Sequence, residues 1–190
     1  MLMLNLPVEK IGGEMYELLT MANRTTEDVF SLLDNLLKWT KSQIGNLNVV
    51  YQDVDAVEVV DSVIDVFNMV AGLKKITIRE EKPEKLPVCT DIDMLKTIIR
   101  NLLSNAIKFS NENSEVLVKM EEQGDTVVVS VKDSGCGIDE EGQQKLLHTD
   151  THFSTFGTNN EEGSGLGLLL CQDFAVKIGG KLWFTSKEGE

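Results

Sequence analysis

Cysteine and proline are both scarce in this chain of 190 residues, which contains three of each. Cys89, Cys136 and Cys171 lie far apart and no Cys-x-x-Cys pair occurs. Neither a disulfide framework nor a structural zinc site is therefore indicated. A reducing, cytoplasmic environment fits this cysteine usage best, because disulfides persist mainly in oxidising compartments.

Long apolar runs and an excess of positive charge are missing as well. No segment approaches the roughly 20 apolar residues needed to cross a bilayer, and residues 1–6 are too short and uncharged for a signal peptide. We expect no membrane segment in this chain, although a larger parent protein with an inner-membrane anchor is compatible with it. Lys and Arg number 18 against 31 Asp and Glu, a net charge of −13, which disfavours nucleic acid as a partner. A phosphate ligand would need local help from a metal ion, a helix N-terminus or a few lysines.

What is present is ordinary globular composition, 42% hydrophobic and 26% charged. Residues 14–46 contain no proline and carry apolar residues at helical spacing, which predicts one long helix of about 50 Å. So long a helix is not covered by a small domain alone, which favours pairing in a helical hairpin or a dimer. A lone amphipathic helix on the core is the alternative.

The rest of the chain alternates strand and helix patterns and predicts an α+β fold, a mixed sheet with helices on one face. We predict strands at 49–54, 75–79, 116–121, 127–132 and 181–186, and helices at 57–70, 90–109 and 166–178. Thr90 is expected to begin the second of these helices as a capping box. Residues 139–164 are glycine-rich and polar, which predicts a mobile loop.

Three polar residues share one face of the helix predicted at 90–109. Asn101, Asn105 and Lys108 are spaced by four and three residues, beside an apolar stripe. Amide oxygens can bind a hard cation, and a lysine can neutralise phosphate. Taken alone, this spacing is better explained by a solvated helix face.

Two glycine-rich segments follow. Residues 133–137 (DSGCG) come directly after a valine-rich strand, so the Asp133 carboxylate could accept a hydrogen bond from an exocyclic amine while Gly135 and Gly137 let the backbone approach a flat ligand. An ordinary Asp-Gly turn has the same pattern.

Residues 163–168 (GSGLGL) open the last helix, where N–H groups and the helix dipole favour a triphosphate. This segment matches neither the dinucleotide fingerprint nor the P-loop.

In this order, the segments resemble the Bergerat-type (GHKL) ATP-binding fold of histidine kinases, type II topoisomerases, heat-shock chaperones and mismatch-repair ATPases. Residues 101–110 (NLLSNAIKFS) resemble the histidine-kinase N box, 133–139 the first glycine box, Phe153 the F box and 163–168 the second glycine box. The resemblance covers about residues 49–186. It implies a two-layer α/β sandwich as catalytic domain at 49–190. Residues 1–46 would then be a partial dimerisation and phosphotransfer hairpin whose first helix is truncated.

The resemblance also implies a role for each motif residue, with ATP and Mg²⁺ as cofactors. Asn105 would bind Mg²⁺, Asn101 and Lys108 would contact the phosphates as the catalytic pair, and Asp133 would bind the adenine amine. Phe153 would anchor a lid that is poorly ordered without nucleotide. The implied ATP-binding set is Asn101, Asn105, Lys108, Asp133, Gly135, Gly137, Phe153, Gly163, Gly165, Leu166, Gly167 and Leu168.

Asn101 separates the enzyme classes that share this fold. Topoisomerases and chaperones usually carry a glutamate at this position to activate water, and a neutral amide cannot accept that proton. Transfer of the γ-phosphoryl to a histidine, and then to an aspartate of a response-regulator receiver domain, is therefore favoured. An ATP-gated hydrolase or switch and a non-catalytic scaffold are the alternatives.

The phosphoacceptor histidine is expected to be absent from this chain. Its only histidines, His148 and His152, lie in the predicted lid and lack the setting of a phosphoacceptor helix. We therefore predict that the chain binds ATP with Mg²⁺ but does not phosphorylate itself. The long helix predicts a homodimer and the docking surface for the regulator.

Overall fold

The computed structural model describes residues 48–147, 157–158 and 165–189, together with eight positions between 15 and 40. The described part contains five strands, β1 (Gln52–Asp55), β2 (Thr77–Glu81), β3 (Pro87–Thr90), β4 (Glu115–Gln123) and β5 (Thr126–Lys132). It also contains four helices, α1 (Ala56–Leu73), α2 (Ile92–Phe109), α3 (Glu140–Leu147) and α4 (Gly167–Lys177).

The main sheet has three strands in the order β2, β4, β5. β2 runs parallel to β4, because the chain between them crosses over through α2, whereas β4 and β5 form an antiparallel hairpin. The hairpin turns at Gly124, whose φ of 63° is readily available only to glycine. β1 and β3 form a separate antiparallel pair. The mixed sheet and the α+β class predicted from the sequence are thus confirmed.

The main core lies between the sheet and helices α1 and α2. Val116, Val118 and Met120 alternate along β4 and are almost completely buried, as expected for one face of a central strand. α1 and α2 cover that face with residues such as Ile64 and Leu103. This places the helices on one side of the sheet.

A second, smaller cluster joins α2 to α4. Met94 and Ile98 of α2 pack against Leu170 and Phe174 of α4, with Cys171 fully buried among them. Burial raises the pKa of the Cys171 thiol to about 12, because an apolar environment disfavours the thiolate. α4 is therefore held on the flank of α2 by apolar contact.

The start of α2 differs from the prediction by one residue. Thr90 is the last residue of β3, paired with Gln52, so it cannot also cap the helix. Asp91 is the N-cap, and its Oδ1 accepts a hydrogen bond from Met94 N at 3.0 Å. Its Oδ2 accepts from Val50 N at 2.8 Å and so ties the incoming chain to α2.

Two strand predictions need correction. β3 was missed, because its four residues follow a charged, proline-punctuated loop and are recognised only through their pairing with β1. The predicted strand at 181–186 is wrong: burial alternates along it as in a strand, but within the described residues it has no ladder partner. It contacts the first glycine segment instead, where Ile138 N donates to Ser186 Oγ at 2.9 Å and Gly189 N donates to Cys136 O at 2.9 Å.

The predicted long helix at 14–46 lies mostly outside the described residues. The eight positions that are described are all helical, and most are exposed. They are Met15, Leu18, Leu19, Ala22, Thr26, Leu33, Leu37 and Thr40. The helix-pairing hypothesis stays a prediction.

Replacing Asp91 with alanine should destabilise the domain by about 2 kcal/mol, because both the helix cap and the acceptor for Val50 N are lost. Urea unfolding of the wild type and the variant measures this. Asp93→Ala is the matched control, since Asp93 is exposed in the first turn and should cost less than about 1 kcal/mol. Equal losses in the two variants would contradict the capping role of Asp91.

Candidate nucleotide site

Helix α2 presents Asn101, Asn105 and Lys108 on the face opposite the main core. All three residues are half-buried. Asn101 Nδ2 donates to Thr97 O at 2.9 Å, which fixes the orientation of the amide. The Lys108 ammonium lies over the Phe109 ring at 4.8 Å from its centre, a cation–π contact.

The second glycine segment meets this face at Asn101. A Cβ atom added to Gly167, the first residue of α4, would lie 2.7 Å from Asn101 Oδ1, so a larger residue there would displace the Asn101 amide. Gly165 has a φ of 68°, which turns the chain into the helix, and Leu166 occupies the N-cap position without a side-chain acceptor. The described start of α4, through half-buried Leu168, therefore lies beside the polar face of α2.

The first glycine segment meets the other end of α2. Ser110, the residue after the helix, forms an isolated bridge with Gly135, and a Cβ on Gly135 would lie 2.4 Å from Phe109 O. Asp133 is half-buried, and its Oδ1 accepts from Gly135 N at 3.0 Å. The carboxylate is thus oriented by its own turn and keeps a second oxygen for other donors.

Gly137 is the tightest position of the site. Its φ is 66°, and an added Cβ would lie only 2.0 Å from Lys187 O. The backbone at 187–189 therefore packs directly on the first glycine segment, where Gly189 N also bonds to Cys136 O. Glycine is needed here for two independent reasons, conformation and space.

Two residues around α2 were missed from the sequence. Lys74 is buried and donates to the carbonyl oxygens of Ile107 and Lys108, and Thr158 N also donates to Lys108 O, at 3.2 Å. The signal for Lys74 was weak: one lysine among 18 Lys and Arg, placed just after an apolar helix. Nothing in the sequence indicated that it would turn inward.

Several predicted site residues lie outside the described part of the chain. These are Phe153, Gly163 and the lid around His148 and His152. Their roles stay predictions. Two surface hollows of about 400 and 560 Å³ share Pro87, Val88 and Cys89 of β3 and contain none of the predicted nucleotide residues. The site is thus defined by its motif contacts and does not coincide with either hollow.

The geometry agrees with the match to known proteins. Residues 90–190, more than half of the chain, match the family described as Histidine kinase-, DNA gyrase B-, and HSP90-like ATPase. The chain belongs to this family. The Bergerat-type resemblance predicted from the N box and glycine boxes is thereby confirmed.

Among curated relatives, the adaptive-response sensory kinase SasA of Rippkaea orientalis is 30% identical over 82% of this chain. The sensor histidine kinase WalK of Bacillus subtilis is 27% identical over 90% of it. The chain spans 40% of SasA and 28% of WalK, so it corresponds to less than half of either relative. The relatives point to the histidine-kinase branch of the family.

Solved structures agree at the level of the fold. The catalytic domain of histidine kinase ThkA is 30% identical, with a TM-score of 0.64 over 74% of this chain and 90% of that chain. Acinetobacter baumannii histidine kinase AdeS has a TM-score of 0.72 over 90% of this chain and 79% of that chain, at 19% identity.

Among the described residues, none of the helices has the length and apolar character that a membrane span requires.

Gly137→Ala should destabilise the domain by more than about 3 kcal/mol, because the new Cβ meets Lys187 O in a backbone conformation that already disfavours alanine. Gly124→Ala is the matched control. Gly124 has nearly the same φ, 63°, with open space around its Cβ position, so its cost should stay near 1 kcal/mol. Thermal or urea unfolding compares them, and similar losses would show that 187–189 does not pack on Gly137.

Proposed function

We propose that this chain is the ATP-binding catalytic module of a sensor histidine kinase. The observation that carries the proposal is the convergence of three motifs on α2: Asn101 contacts Gly167, and the end of the helix contacts Gly135. Glycine at both contacts lets each segment approach α2 closely. The names of the curated relatives support the kinase class.

Different residues would contact the adenine ring and the phosphates. Asp133 would accept a hydrogen bond from the adenine amine, with Gly135 and Gly137 forming the wall beside the ring. Asn101, Lys108 and the start of α4, at Gly165, Leu166, Gly167 and Leu168, would hold the phosphates, supported by the positive end of that helix's dipole. Phe153 and Gly163 would act in the lid that closes over them.

Asn105 is the residue that would hold Mg²⁺. It lies one turn after Asn101 on the same half-buried face, and its amide oxygen is a hard ligand of the kind that Mg²⁺ accepts alongside phosphates and water. When bound, the ion neutralises charge on the phosphates. The chain's own residues contribute positioning and charge, which is how most phosphoryl transfer is catalysed.

Asn101 favours transfer over hydrolysis. Its Nδ2 is engaged by Thr97 O, and its neutral Oδ1 faces Gly167, so nothing in this amide can take a proton from water at pH 7. The γ-phosphoryl group would instead pass to a histidine on a bundle helix, and then to an aspartate of a response regulator.

Partners and location follow from the same proposal. ThkA, which shares the fold at 22% identity and a TM-score of 0.71, has been solved in complex with the response regulator protein TrrA. We infer a receiver domain as a partner here as well, and a cytoplasmic location, where ATP and free thiols occur together. A homodimer through the segment 1–46, which the sequence predicts to be helical, is supported by exposed Met15, Leu18, Leu33 and Leu37.

Asp133→Asn should weaken binding of ATP with Mg²⁺ by about tenfold or more, because the adenine amine loses a charged acceptor. The amide keeps an oxygen for Gly135 N, so the local turn is retained. Calorimetric titration measures the dissociation constants. Asp125→Asn, in the exposed β4–β5 turn, is the control and should bind ATP like the wild type. Equal affinities of all three proteins would show that Asp133 does not bind the adenine.

The hydrolysis rate of this chain can be measured with ATP labelled at the γ-phosphate. We expect free phosphate to be released at a rate far below about 1 per second, the lower end of typical enzyme turnover. The chain should also acquire no acid-labile, base-stable phosphate, since His148 and His152 are not phosphoacceptors. Fast release would favour the hydrolase alternative. Our interpretation of these histidines would be refuted if the wild-type chain became labelled and the His148→Ala or His152→Ala variant did not.

A further inference from the structure

Lys74 is a buried lysine at the junction of three elements around the proposed site. It is the C-cap residue of α1 and only 6% exposed. Its Nζ donates to Ile107 O at 2.9 Å, to Lys108 O at 2.8 Å and to Thr158 Oγ1 at 2.5 Å. These contacts connect α1, the end of α2 and the described segment 157–158.

The two carbonyl groups belong to the last turn of α2, where no further turn supplies N–H partners. Burying them without donors would cost free energy. The Lys74 ammonium satisfies them and also lies at the negative end of the helix dipole. Because it comes from another element, it additionally fixes the end of α2 against α1.

Thr158 completes the connection. Its N–H donates to Lys108 O at 3.2 Å, and its hydroxyl donates to Ser110 O at 2.8 Å while accepting from Lys74. Lys74 and Thr158 therefore hold the same carbonyl group, that of Lys108.

We propose that Lys74 is a positioning residue of the phosphate site, coupling the 157–158 segment to the backbone from which Lys108 extends. The proposal rests on the function proposed above, in which Lys108 contacts phosphate. A lysine in the last turn of a helix commonly interacts with its own helix end. Here Lys74 supplies this interaction from another element, by donating to the carbonyl groups of Ile107 and Lys108.

The test uses Lys74→Met, which keeps the unbranched apolar stem and removes the donor. Affinities for ATP with Mg²⁺ and for adenosine are measured by titration. We expect the ATP affinity to fall about tenfold, since a charged hydrogen-bonding group is lost, while adenosine binding changes less than about twofold. Lys75→Met is the control, because Lys75 is 68% exposed and pairs only loosely with Glu112 at 3.8 Å.

A purely structural lysine would weaken both ligands equally, and that result would overturn the proposal. Amide exchange of Thr158 gives a second readout: it should accelerate in Lys74→Met without nucleotide, because the Thr158 N–H to Lys108 bond is less firmly held. Unchanged exchange together with unchanged ATP affinity would also overturn it.

Thr158→Val tests the connection from its other side, should Lys74→Met fail to fold. Thr158 is exposed, and valine keeps its shape without the hydroxyl. We expect the same selective loss of ATP affinity in this single variant. Where Lys74→Met folds, the double variant should bind ATP no more weakly than Lys74→Met alone. The coupling would be refuted if Thr158→Val bound ATP with wild-type affinity, or if the losses of affinity in the two single variants were fully additive. If the wild type bound no ATP, the proposed function would fail instead, and Thr158 exchange would still test the connection.

Discussion

Helix α2 is packed on two sides, and the rest of the structure depends on that packing. Ile99 and Leu103 are buried against the sheet, while Met94 and Ile98 are buried against α4. Burial of side chains this large contributes about 2 kcal/mol each. The one remaining edge carries the polar residues. The position of this polar edge relative to the glycine segments is therefore determined by apolar contacts on the other two sides. These contacts form without a ligand.

Glycines transmit this positioning to the loops. At Gly167 and Gly135 the neighbouring segments approach α2 closely, with Cβ positions 2.7 Å from the side-chain oxygen of Asn101 and 2.4 Å from the backbone oxygen of Phe109. Since these contacts involve backbone, they hold the main-chain N–H groups of each loop in a defined place beside the helix. Such preorganised donors lose little entropy when they bind an anion.

The sequence predicted α1, α2, α4 and the hairpin because these depend on local patterns, such as the periodicity of α2 and the glycine turn at Gly124. It missed α3, which lies at the start of the segment predicted as a mobile loop. It failed where the structure depends on distant partners. β3 exists through its pairing with β1, and Asp91 replaces Thr90 as the cap because Thr90 belongs to that pairing. Residues 181–186 have no partner strand among the described residues. Lys74 was missed for the same reason, since its acceptors lie more than 30 residues away.

The net charge of −13 makes the local field decisive. A triphosphate approaching this chain would meet repulsion everywhere except where positive potential is concentrated. In the proposed site, the N-terminal end of α4 would supply one such place, and Lys108 another. The negative end of α2 would oppose both, because it lies within one turn of Lys108. Lys74 donates to the carbonyls at that end, which cancels the opposing field without placing a charge on the surface. If the proposed site is correct, this buried cation would favour the binding of an acidic ligand in spite of the acidic net charge.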